Sequence, residues 1–112
     1  MKTQTHLQLL IDALRSGAYD QKFYAMRRDG GFCILGVACE VYRKHTGKGS
    51  WIGEDFYSEG LDRPDISYPP PVVQEWCAFL LPTAKLAYLN DDRKHDFNQI
   101  ADMIETGKYP EV

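Results

Sequence analysis

The chain has 112 residues, 44% of them hydrophobic and 26% charged, with a formal net charge of −3 at pH 7. A single self-sufficient domain is expected at that length, and the composition is that of an ordinary globular protein rather than a disordered or membrane one. The negative balance argues against a general nucleic-acid binder. No apolar run approaches a membrane span, and Asp12 interrupts the opening before it reaches signal-peptide length, so a cytoplasmic protein is expected.

Thr5 followed by Gln8 has the form of a capping box, and Leu7, Leu10, Ile11 and Leu14 recur at helical spacing before Gly17. A first helix is therefore expected from Thr5 to Ser16. "QKFYAMRRDGG" mixes aromatics with a terminal Asp-Gly, the pattern of a short strand entering a turn. From Phe32 onward, Val41, Ile34, Ala38, Tyr42, Leu35 and Cys39 fill one apolar arc, with Glu40, Arg43 and Lys44 on the other side. This predicts a largely buried central helix ended by Gly47, its Glu40 and Lys44 forming a solvated i,i+4 pair.

Lys48 to Pro71 shows no sustained period and is rich in aromatics, with Trp51, Ile52, Phe56, Tyr57 and Tyr68. A loop that long in a small domain is usually functional, and "SWIGEDFY" has the residues for a small hairpin within it. Pro71 suits the first turn of a short helix, with Val72, Val73, Trp76, Phe79 and Leu80 along one side until Pro82. "KLAYLN" reads equally as helix or strand. Asp96 with Gln99 forms a second capping box, opening a helix whose Phe97, Ile100, Ala101, Met103 and Ile104 make an apolar stripe ending at Gly107. The expected fold is α+β and predominantly helical, with about four helices, a short strand or hairpin and one long aromatic loop, all in one domain spanning residues 1–112.

"GGFCILGVACEVY", "VVQEWCAF" and "LNDDRKHDFNQIADMIE" together resemble a family of small uncharacterised proteins encoded by phages and other mobile elements. Its members carry a "YCCLGVLCDL"-like helix and an "LND…SFAEIADYIE"-like ending. The resemblance spans nearly the whole chain, and Ile34 stands where many such sequences have a second cysteine. It implies a shared fold and a mobile-gene origin, and says nothing of chemistry.

Two functional expectations follow from the residues. The first is a non-enzymatic binding module using the Trp51–Tyr68 segment, with Trp51, Phe56, Tyr57 and Tyr68 as contacts for a protein or small-molecule partner. Trp51 and Phe56 folding back as a lid over the central helix is the structural alternative. A second copy of the chain is a further candidate partner, since a homodimer would cover any apolar face left open.

The second expectation is a small cysteine hydrolase or transferase. Cys33 falls in the first turn of the central helix, where backbone N–H groups and the helix dipole favour an exposed thiolate. His45 sits about 18 Å along the same axis, so the base would be His95 or His6. Packing is the favoured account of Cys33: a small residue beside Gly36, where a neighbouring segment passes closely. Cys39 and Cys77 read as small buried hydrophobes, and three reduced thiols are expected rather than a disulfide. The cysteines and histidines lack metal-ligand spacing, so neither metal nor cofactor is expected. "NDDRKHD" reads as a turn and cap, in which Arg93 and Lys94 are solvated. Arg27, Arg28, Arg43, Lys44 and Lys48, with Tyr24 and Trp51 able to stack on bases, read as a solvated face before they read as a nucleic-acid patch.

Overall fold

The structure is a computed structural model, and it describes residues 5–57, 69–78 and 83–108. Helix α1 (His6–Arg15) begins where the Thr5 hydroxyl accepts the Gln8 N–H at 3.0 Å, satisfying one of the amides that a helix start leaves unpaired. It buries Leu10, Ile11 and Leu14. Strands β1 (Arg27–Arg28) and β2 (Gly31–Phe32) pair antiparallel, Arg27 opposite Phe32. Their link is Asp29-Gly30, both at positive φ (49° and 81°), the geometry whose twist suits a two-residue hairpin. Phe32 also exchanges backbone hydrogen bonds with Asp20 and Lys22, so β2 is held from both edges.

Helix α2 (Ile34–Thr46) is the centre of the molecule. Every residue from Ile34 to Tyr42 is buried, and Gly47 ends the helix in the left-handed conformation. Against it pack α1, α3 (Pro71–Cys77) and α4 (Thr83–Asp91), while α5 (Phe97–Thr106) lies on α1. The α5 capping box is complete: the Asp96 carboxylate accepts the Gln99 N–H, and the Gln99 side chain accepts the Asp96 N–H. Arg15 donates to Asp102 and Glu105 along the exposed rim of the α1–α5 pair.

Gly36 sets the spacing on one side of α2. A Cβ there would stand 1.7 Å from the Met26 carbonyl oxygen, the same oxygen that accepts the Cys33 N–H. The segment before β1 therefore runs directly over the helix backbone, and only glycine leaves room for it.

Three elements are settled beyond the sequence expectation, of which the early end of α3 departs from it. The described residues hold five helices: "KLAYLN" lies in α4, whose buried residues are only Leu86, Leu89 and Asn90. Helix α3 stops at Cys77, because Ala78 takes a left-handed conformation (φ 56°). It turns Val73 and Cys77 inward while Val72 is exposed; Phe79, Leu80 and Pro82 lie outside the described residues. Finally, Ser50 to Tyr57, within the expected loop, forms a hairpin of β3 (Ser50–Ile52) and β4 (Asp55–Tyr57), with Trp51 opposite Phe56.

Candidate functional site

The β3–β4 hairpin lies over the second half of α2. Phe56 points inward, is fully buried and meets Tyr42 edge-on. Of the two expectations for Phe56, the lid over the central helix holds and the surface contact does not, because pairing with Trp51 places its ring over α2. Trp51 is half-buried. Its ring lies 5.0 Å from Phe56 and 5.6 Å from Phe32, centroid to centroid, and its indole Nε1–H donates to Glu40 Oε1 at 3.1 Å. Tyr57 is half-buried, and Tyr68 lies outside the described residues.

Glu40 is the residue the sequence misplaced. It retains only 9% exposure and pairs with Arg43 instead of forming the expected solvated pair with Lys44, because Trp51 covers it. The Arg43 fork donates Nε to Oε1 at 2.7 Å and Nη2 to Oε2 at 2.9 Å. Burial alone would raise the Glu40 pKa, but the hydrogen bonds from Arg43 and Trp51 together hold it below the ordinary carboxylate value. Glu40 is therefore ionised near neutral pH, and its charge is spent on Arg43. Lys44 turns away to Tyr19, whose hydroxyl it reaches at 3.1 Å.

Between this hairpin and β1–β2 lies a cleft of about 370 Å³ lined by Arg27, Phe32, Glu40, Arg43, Gly49 and Trp51. Arg27 reaches over the Trp51 ring, 5.6 Å from its centroid. Arg28 bridges to Glu54 at 2.9 Å, tying the two hairpin turns together. Arg27 has no carboxylate partner among the described residues. The cleft thus pairs one of its two guanidinium groups internally and leaves the other on an aromatic wall. Sequence reading grouped Arg27, Arg43 and Trp51 in one patch, but nothing in it showed that Glu40 would neutralise Arg43.

Cys33 behaves differently from an exposed thiolate. It is the N-cap of α2 and only 4% exposed. Burial pushes its thiol up to about 11, with Asp91 pushing the same way, against the pull of the Gly36 and Leu35 backbone N–H groups. The expectation of an accessible, acidic Cys33 is corrected accordingly, since the Met26 segment closes over this end of the helix. Burial pushes Cys39 up as well, and Cys77 to about 12. All three are free thiols.

Of the two histidines considered as bases, the His6 ring is engaged elsewhere and the His95 ring Nε2 makes no hydrogen bond. His6 stacks on Trp76 at 4.0 Å and donates Nδ1–H to its carbonyl at 2.8 Å. The His95 backbone bonds to Leu89 and Gln21, and its ring Nε2 is buried without a hydrogen-bond partner. Labelling the native protein with a small thiol reagent near pH 7 should therefore be slower than labelling a free cysteine by roughly a hundredfold, all three sites reacting together on unfolding. Mass spectrometry after a time course would read this, and fast labelling confined to Cys33 would restore it as a nucleophile.

Asn90 is a feature that sequence reading assigned to a turn. It is fully buried, and its side-chain oxygen accepts from the Ile34 N–H at 3.1 Å and from Gln21 Nε2 at 3.0 Å. Its Nδ2 donates to the Lys22 carbonyl at 2.9 Å and to Asp91 Oδ1 at 2.8 Å. Every hydrogen-bonding site of the amide is used, which marks a structural joint. Lys94 is exposed, as expected, and its ammonium stands over the rings of Phe23 and Tyr24 at 4.3 and 5.0 Å. Among the described residues no group of three or more His, Cys, Asp or Glu side chains is placed to hold a metal ion, and no described helix is long and apolar enough to cross a membrane.

Comparison with known proteins returns no match among curated proteins and none among solved structures. A family model described as a domain of unknown function (DUF8296) matches residues 1–81, which takes in α1, both hairpins, α2 and α3. That match covers most of the chain, and the chain belongs to this uncharacterised family.

Proposed function

We propose that the protein is a non-enzymatic binding module, carried by a mobile element and working in the cytoplasm, whose contact surface is the β3–β4 hairpin with the cleft beside it. The observation that carries this reading is the placement of Ile52. At the mouth of the hairpin turn, beside the Trp51 wall, it is 61% exposed. A large apolar side chain left in water on the strand that carries Trp51 is the kind of residue that marks an interaction surface. The upward-shifted, buried thiols support binding over nucleophilic catalysis, and free cysteines suit a reducing compartment. The partner proposed is a protein or a small molecule rather than a nucleic acid, given the net charge of −3.

Photo-crosslinking tests the reading in cells that produce the protein. A photoreactive amino acid at position 52 is expected to give one discrete adduct, absent when the same group is placed at exposed position 85 on α4. An adduct between two copies of the chain would identify a homodimer as the occupant of this face. Equal crosslinking from both positions, or none from position 52, would overturn the assignment of the surface.

A further inference from the structure

The cleft carries more chemical information than its position alone. Its two guanidinium groups are not equivalent: Arg43 has Nε and Nη2 committed to Glu40, whereas Arg27 has no carboxylate partner among the described residues and stands over the Trp51 ring. The indole ring offers that guanidinium no hydrogen-bond acceptor, and no carboxylate among the described residues takes its N–H donors. Phe32 and Trp51, 5.6 Å apart and tilted by 51°, stand beside it as an aromatic wall. Glu40 fixes that wall through the indole N–H, and Arg28–Glu54 fixes the hairpin turns on either side. The volume, about 370 Å³, is that of a site for a small organic molecule.

We propose that the cleft binds a small planar oxyanion, its carboxylate or phosphate held in the fork of Arg27 and its flat ring against Trp51 and Phe32. The proposal rests on the reading of this face as the contact surface and names what that surface takes. Guanidinium forks match carboxylate and phosphate in a two-point geometry, and a desolvating aromatic wall strengthens the pairing relative to open water. Glu40 sets the specificity. By pairing with Arg43 it removes the second guanidinium from play, which limits the ligand to one oxyanion near Arg27.

The test uses three probes of one shape on the full ¹⁵N-labelled chain: benzoate, phenyl phosphate and uncharged benzamide. The readout is the Trp51 indole N–H signal, with the Trp76 indole as the internal reference. Benzoate or phenyl phosphate should shift Trp51 in a saturable way while benzamide leaves it unchanged. The tighter of the two anions distinguishes an aromatic carboxylate from an aromatic phosphate ester as the natural source. Arg27→Gln should weaken binding by at least about tenfold, and Arg27→Lys, which keeps the charge without the fork, should recover only part of it. On the unaltered protein about 0.5 M NaCl should weaken anion binding as well, which keeps the test independent of how the variants fold. No Trp51 response, an equal response to benzamide, or unchanged affinity in Arg27→Gln would overturn the proposal. If the probes fail while position 52 still crosslinks, the oxyanion falls and the contact surface stands; if both fail, the whole reading falls.

Discussion

Gly36→Ala is expected to be the most damaging single-methyl change in the protein. The added Cβ would stand 1.7 Å from the Met26 carbonyl oxygen and 2.7 Å from its carbonyl carbon, so relief needs backbone movement rather than a side-chain rotation. That movement would also break the bond from the Cys33 N–H to the same oxygen. Overpacking at a rigid contact costs about 3 kcal/mol or more, a large part of the roughly 5–15 kcal/mol that stabilises a domain. The alanine's better helix propensity offsets only about 1 kcal/mol of this. Urea unfolding should show a midpoint lowered by at least about 1 M with the slope unchanged. A midpoint near that of the unaltered protein would mean the Met26 segment yields freely.

Asn90→Leu should come close to the same cost by another route. The volume is nearly conserved, so little cavity forms, but the Ile34 N–H and the Lys22 carbonyl lose their partner in a buried setting. Each orphaned group costs about 1–3 kcal/mol. Gln21 keeps the His95 carbonyl and Asp91 keeps the Tyr24 N–H, so those two sites are less affected. A loss of roughly 3 kcal/mol in unfolding free energy is expected, with faster amide exchange at Ile34 as the local signature. A loss confined to global stability, with Ile34 still protected, would show that α2 finds another cap.

The elements that were legible in the sequence are those in which one short stretch carries both a stripe and its caps. Helices α1 and α5 are of this kind, and Asp29-Gly30 specified its own turn. Even the passage of a segment over Gly36 was readable, because glycine beside cysteine in an apolar helix leaves few other reasons for so little volume. Helix α4 was not, since its apolar residues do not gather on one face. The site failed for a different reason. Glu40 sits on the polar side of α2 by helical arithmetic, and only a hairpin beginning ten residues later buries it. Asn90 hides in a run of turn-forming residues, and its partners are 56 to 69 positions away, save for Asp91 beside it. Periodicity reports what a segment wants to bury; it does not report what will arrive to cover the rest.

The Asn90 joint also bears on how quickly the molecule forms. Helical domains usually fold fast because most of their contacts are local, but here the cap of the central helix is supplied from the far end of the chain. Closing a loop of that span costs entropy before any of the bonds at Asn90 can repay it. The start of α2 is thus secured only when α4 docks, and slower folding than that of a helical domain with purely local caps is the expected consequence.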